Sequence, residues 1–145
     1  MNPLREPPKK PRREGRRSEK TSTCPRRLDV DDPLRDLRSE LRGFARERKW
    51  TKYHSPKNLA MALAVEAAEL MEIFQWLSPG ESRNLKSGTL ERAEEEIGDV
   101  LIYIIRLADR LSISPVEAAK KKMEKNRTRY PVDKAKGNAK KYTEF

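Results

Sequence analysis

The chain has one cysteine, Cys24, and one histidine, His54, in 145 residues. A single thiol cannot close an internal disulfide, which fits a reducing compartment. One imidazole and one thiol cannot assemble a zinc site, and no Ser-His-Asp or Cys-His device is credible. Long apolar runs are missing as well. The longest, Val100 to Ile105, falls far short of the ~18 residues of a membrane span, and the first residues lack the apolar stretch of a secretory signal. No strand pattern competes, because the apolar run Val100 to Ile105 lies inside a long helical period. The expectation is a soluble cytoplasmic protein that makes no membrane contact.

Charge is abundant. Charged residues are 39% of the chain against 35% apolar, so part of it is expected to stay solvated. The formal net charge of +10 is unevenly placed, because residues 1–27 hold ten of the 33 Lys/Arg and three of the 23 Asp/Glu. The pI of about 9.9 therefore describes mostly this segment. Pro3, Pro7, Pro8, Pro11 and Pro25 punctuate it, and Leu4 is its sizeable apolar residue. Such a segment cannot bury enough surface to offset its ordering entropy, so residues 1–30 are expected to be a disordered basic tail. Its PKKPRREGRR core can act as a nuclear-import signal or a nucleic-acid-binding arm, and a solvated tail is the plainer alternative.

Residues 31–131 read as four helices, with residues 132–145 a C-terminal tail. Asp32-Pro33 is an N-cap and N1 pair, followed by Leu34, Leu37, Leu41 and Phe44 as an apolar stripe running toward Trp50. Ser55-Pro56 opens a second helix through Leu59, Leu63, Leu70, Ile73, Phe74 and Leu77, apolar nearly all round. Ser78-Pro79-Gly80 ends it, and a loop leads to Gly88. A third helix spans about Thr89 to Leu111, with Ile97, Val100, Leu101 and Ile104 as its core stripe. Ser114-Pro115-Val116-Glu117 is a capping box with Pro at N1, opening a fourth helix that stops before Pro131. The pattern predicts an all-α, antiparallel four-helix bundle-like domain. The second and third helices need more cover than one chain of this size supplies, which predicts an oligomer.

Helix two places Glu66 and Glu69 three residues apart among Ala62, Val65, Ala67, Ala68 and Leu70. Helix three repeats the spacing with Glu96 and Asp99 beside Ile97, Val100 and Leu101. Residues at i and i+3 share a helical face, so each pair aims its oxygens at a common spot. Taken singly, each pair reads as an ordinary exposed pair of helix charges. Two identically spaced pairs, each in its helix's most apolar stretch, point instead to four converging carboxylates. Left unneutralised they would repel one another and resist desolvation, and a hard divalent cation with all-oxygen ligands, Mg²⁺, removes that conflict. Ala67, Ala68 and Gly98 leave room for close helix approach. Glu91, Glu94 and Glu95 open helix three and complement its dipole, a structural role.

Glu66-x-x-Glu69, a spacer of 26 residues, and Glu96-x-x-Asp99 together resemble the signature of the all-α nucleoside triphosphate pyrophosphohydrolases of the MazG type. The resemblance runs from about Leu34 to Tyr142 and is closest to the dCTP pyrophosphatase branch. FARERKW (44–50), YHSPKNLAMAL (53–63), EIFQW (72–76), EIGDVLIYIIRLADR (96–110) and NRTRYP (126–131) carry it. The chain departs from the pattern at Val65, where the wider family often has Glu, and at Leu41, where the branch carries His. The resemblance implies Mg²⁺ held by Glu66, Glu69, Glu96 and Asp99, cleavage of a nucleotide to the monophosphate and pyrophosphate, and a homo-oligomer built as a dimer of dimers. Glu66 or Glu69 is then the candidate to take the water's proton.

The resemblance also gives the aromatics and the basic helix a second use. Alone, Trp50 and Trp76 read as core or helix-end staples, and Lys122, Asn126 and Arg129, at i, i+4 and i+7, as a solvated face. Read by resemblance, Trp50 and Trp76 stack a base and Tyr103 lines the sugar. The segment Trp50, Thr51, Lys52, Tyr53 and His54 contacts the nucleotide, and Lys122, Asn126 and Arg129 hold phosphates. The expected function is Mg²⁺-dependent hydrolysis of dCTP or a modified dCTP, serving to cleanse the nucleotide pool. Two rivals stand beside it: a non-catalytic basic helical module that binds nucleic acid through the tail, and a related hydrolase acting on a phosphoribosyl metabolite.

Overall fold

The computed structural model describes residues 34–144. The tail with Cys24, and the Asp32-Pro33 helix start, lie outside the described residues. Four helices follow: α1 (Arg35–Glu47), α2 (Pro56–Phe74), α3 (Ser87–Arg110) and α4 (Pro115–Arg129), with a short α5 (Val132–Ala135). Single 3₁₀ turns occupy Trp50–Lys52, Glu81–Arg83 and Tyr142–Glu144. No strand occurs among the described residues, so the all-α expectation holds.

Local chemistry sets the helix boundaries. Ser55 Oγ accepts from the Asn58 N–H at 3.2 Å, and Pro56 supplies the preset φ at the first helical position of α2. Ser114 Oγ does the same for the Glu117 N–H at 3.3 Å, while the Glu117 carboxylate accepts from Lys120 at 2.8 Å. α1 stops at Lys49, whose φ of 55° is left-handed. α3 stops at Ser112, also at φ 55°, where the Ile113 N–H reaches the Ala108 carbonyl at 2.8 Å and the Ser112 N–H the Asp109 carbonyl at 3.2 Å. That pair of bonds is a Schellman ending built on Ser where Gly is usual. After α2, Glu81 accepts from both the N–H and the hydroxyl of Ser78, which tightens the turn before α3.

α2 and α3 pack along each other antiparallel. His54, just ahead of α2, meets Arg106 near the end of α3, and Glu66 at mid-α2 meets Glu96 and Asp99 at mid-α3. α1 lies on α3, whereas α4 touches α3 only slightly and buries none of its residues. The expected C-terminal tail folds back, with Tyr142 edge-on to Tyr130 at 5.9 Å and Arg129 over the Tyr142 ring.

The core is small and differs from the expected stripes. Leu59 and Ile105, each 1% exposed, fill its centre with Ala45, Ile73, Ala93 and Ala108. In α1 the buried positions are Arg38 and Ala45, not Leu34 and Phe44, because the helix is rolled so that Ala45 admits α3 and Phe44 turns to Trp50. In α3, Ile97, Leu101 and Ile104 stay exposed, and Ala93, Ile105, Arg106 and Ala108 are buried instead. α2 and α3 are apolar on more faces than their one shared contact covers. Gly98 does not serve close helix approach either: a Cβ added there meets open space. Ala45, Ala93 and Ala108 are the small residues that the core encloses.

Candidate active site

Because α2 and α3 run antiparallel with their centres in register, the two carboxylate pairs face each other. Glu66, Glu96 and Asp99 each offer an oxygen, and the three oxygens lie within 4.8 Å of one another. Glu69 is exposed and stands outside that triad, yet both Glu66 and Glu96 feel its charge. Desolvation, then the charges of Glu69, Asp99 and Glu96, hold the Glu66 carboxyl above the usual carboxylate range. Desolvation, then Glu69, Asp99 and Glu95, push Glu96 in the same direction, against a weaker opposite pull from Arg92. Glu96 Oε2 is inaccessible to solvent and has no hydrogen-bond partner. A buried acceptor without a donor, among like charges that resist ionising together, fits a hard divalent cation with oxygen ligands.

A cavity of about 420 Å³ opens from this cluster. Asp99 belongs to both the triad and the cavity wall, and Ile102, Tyr103 and Arg106 continue the wall along α3. Leu41, Phe44 and Ala45 of α1 face them, and Trp50 and His54 complete the lining. Trp50 is held by Phe44, edge-on at 5.9 Å, and its ring centre is 6.5 Å from that of His54. Burial, then the charges of Glu66 and Asp99, raise the Tyr103 phenol, so its hydroxyl keeps its proton and can donate toward the carboxylate end.

The far end of the cavity is cationic. Arg106 is 5% exposed; its Nη1 meets Asp109 at 3.3 Å and its Nη2 meets His54 Nδ1 at 3.2 Å. A guanidinium only donates, so Nδ1 accepts and the neutral ring carries its proton on Nε2. Burial first, then Arg106 and Arg110, lower the His54 pKa and keep the ring neutral at physiological pH. Asp109 also receives Arg42, whose Nε lies 3.0 Å from both carboxylate oxygens. A second, smaller cavity of about 260 Å³ adjoins Arg106 and is lined by Arg42, Arg46, Thr51, Asp109 and Arg110.

Of the residues named from the sequence, the structure gathers Glu66, Glu96, Asp99, Tyr103, Trp50 and His54 around one cluster and cavity, with Glu69 beside them and Thr51 next door. Lys52 and Tyr53 face outward, the Lys52 ammonium 4.8 Å over the Tyr53 ring. Trp76 is 87% exposed at the opposite end of α2. Lys122, Asn126 and Arg129 do not line the cavity. Sequence reasoning missed Arg106, Asp109 and Arg42. The signal was there: Arg106 interrupts the run LIYIIRLA, three residues after Tyr103 and seven after Asp99, on the same face of α3.

This helical carboxylate site and the comparisons with known proteins agree on a class. The MazG-like family profile matches residues 61–145, and the chain belongs to that family. A solved pyrophosphatase from Archaeoglobus fulgidus superposes with a TM-score of 0.65 at 48% identity, covering 68% of this chain and 92% of that one. Within the family the chain falls in the dCTP pyrophosphatase branch. It is 42% identical over 123 residues to dCTP pyrophosphatase 1 of Mus musculus, spanning 83% of this chain and 72% of the relative. With dCTP pyrophosphatase 1 of Homo sapiens the identity is 43% over 114 residues, 77% and 67% of the two chains.

Proposed function

We propose that the protein is a Mg²⁺-dependent nucleoside triphosphate pyrophosphohydrolase that converts dCTP, or a modified dCTP, to the monophosphate and pyrophosphate. The observation that carries this reading is that Asp99 is shared: one carboxylate belongs both to the acidic cluster and to the wall of the aromatic cavity. A nucleotide with its base against Trp50 has its α-phosphate as the phosphate nearest the carboxylates. Glu66, Glu69, Glu96 and Asp99 would hold the Mg²⁺, which would supply charge neutralisation and acidity to water when bound. Glu66 or Glu69 would take the proton of the attacking water. Tyr103 orients the sugar and α-phosphate end through its protonated hydroxyl. Lys122, Asn126 and Arg129, which lie outside the cavity wall, are the proposed partners of the outgoing β and γ phosphates.

Trp76 enters this scheme from a second copy. α2 has 19 residues and is therefore about 28 Å long, with Trp50 ahead of its start and Trp76 beyond its end. One protomer cannot bring both rings to one base. The exposed apolar residues Met61, Val65 and Met71 on α2, and Leu90, Ile97, Leu101 and Ile104 on α3, support a homo-oligomer, a dimer of dimers. No helix among the described residues is long and apolar enough to cross a membrane, and the proposed setting is the cytoplasmic nucleotide pool.

The test is a panel of nucleotides with Mg²⁺ in ¹⁸O-labelled water. Deoxycytidine monophosphate and pyrophosphate, with label in one of them, are expected. Labelled free phosphate with dCDP, pyrophosphatase being absent, would overturn the scheme.

A further inference from the structure

Arg106 is the buried group whose chemistry this mechanism leaves unused. It lines the cavity at the end away from the carboxylates, seven residues beyond Asp99 and so about 10 Å along α3. That separation suits the reach from an α-phosphate, across a sugar, to the far edge of a base. A guanidinium has five N–H donors and no acceptor. Here one donor goes to Asp109 and one to His54, and the Nε–H is buried with no partner. Nε and Nη2 lie on the same edge of the guanidinium, so the unspent donor and the His54 contact face the same side.

His54 extends the pattern. Its Nδ1 is taken by Arg106, which leaves the Nε2–H as the polar atom it can show to a ligand. Leu41, Phe44 and Ile102 add no polar side-chain group. The base end of the cavity therefore presents donors without acceptors, while the acceptors, Asp99 and its neighbours, sit at the phosphate end.

We infer that Arg106, with the His54 ring it orients, is the base-reading group of this site and selects cytosine over thymine and uracil. The inference rests on the nucleotide-hydrolase reading above. Cytosine shows two adjacent acceptors, O2 and N3, along one edge, which a donor fork satisfies together. Thymine and uracil carry N3–H between two carbonyls, so one hydrogen of the base faces donors and both sides lose a bond. Against thymine the buried Nε–H stays as unpaired as it is in the free protein, whereas cytosine supplies its acceptor, and that difference sets the preference. Arg106 thus determines specificity and has no part in the bond cleavage.

The experiment compares kcat/KM for dCTP, dTTP and 3-deaza-dCTP, whose N3 acceptor is replaced by C–H, with wild-type protein and with Arg106→Leu and Arg106→Lys. Wild type is expected to favour dCTP over both other nucleotides by about 10- to 100-fold. Arg106→Leu should lose that factor in the ratio of dCTP to dTTP and no longer distinguish dCTP from 3-deaza-dCTP. Arg106→Lys keeps the charge without the fork and should not restore the preference. Asp109 retains Arg42 in both variants. Should either variant fail to fold, the wild-type comparison decides alone, because the change is then in the substrate. Equal rates on all three nucleotides with wild type would overturn the inference and leave the hydrolase standing. Hydrolysis of none of them, nor of any other nucleotide, would overturn the hydrolase reading itself.

Discussion

Glu66 and Glu96 concentrate the electrostatic cost of the site. Each has its pKa raised by desolvation and by neighbouring carboxylates, so the folded chain binds protons more tightly there than the unfolded chain does. Between the unfolded and the raised folded values the native state holds the extra protons, and stability falls as pH rises through that window. With metal removed, Glu66→Gln should therefore gain on wild type in melting temperature at pH 7.5 relative to pH 5. A thermal-shift series in EDTA measures this, and an unchanged or reversed gap would refute the coupling. With Mg²⁺ present, Glu66→Gln and Glu96→Gln should each lower kcat/KM by about 100-fold or more, because an oxygen ligand becomes a neutral amide. Circular dichroism should be unchanged, since the substitution keeps shape.

At the level of elements, Asp109 ties α1 to α3. Its side chain is 7% exposed and receives both Arg42 of α1 and Arg106 of its own helix. Burial pulls the Arg106 pKa down while Asp109 holds it up, and Arg42 is raised by the same carboxylate. Removing Asp109 leaves a buried guanidinium beside three other arginines with no counter-charge. Asp109→Ala should cost about 3–5 kcal/mol in urea unfolding, the range for breaking a buried pair from one side. A loss below about 1 kcal/mol would mean that water relieves Arg106. Capping was readable at this scale: Ser55-Pro56 and Ser114-Pro115 mark helix starts by local hydrogen bonding, and both helices begin there. The buried faces were less so. Phe44 and Ile97 carry strong apolar signals, yet both are exposed, because periodicity shows that a face is apolar and not which neighbour covers it.

At the scale of the whole molecule, one protomer leaves Trp76 and the α2 and α3 faces uncovered. If Trp76 serves the cavity of another copy, Trp76→Ala and Glu66→Gln chains are each nearly inactive alone. Co-expressed, they should recover about a quarter of wild-type activity, because half of the random dimers carry one intact site of two. No recovery in a verified mixed oligomer would rule out the shared site. The basic segment gives a simpler expectation. Deleting residues 1–30 should leave melting temperature and kcat/KM nearly unchanged, since this stretch offers little apolar surface to bury. A drop of several degrees would show that it packs on the helical domain.

The sequence by itself determined the all-α class, the starts of α2 and α4 and the two carboxylate pairs. Each of these is a local matter: Ser and Pro act within one turn, and i, i+3 spacing places two side chains on one face wherever the helix lies. Tertiary structure alone decided the rest. The antiparallel register of α2 and α3 brings Glu66 to Glu96 and Asp99, and leaves Glu69 at the edge. The crossing of α1 converts Arg106, which reads as an anomaly inside an apolar run, into the end wall of a cavity 52 residues away in sequence from the His54 it holds. Contacts between distant segments depend on how whole faces pack, and no local pattern encodes that choice.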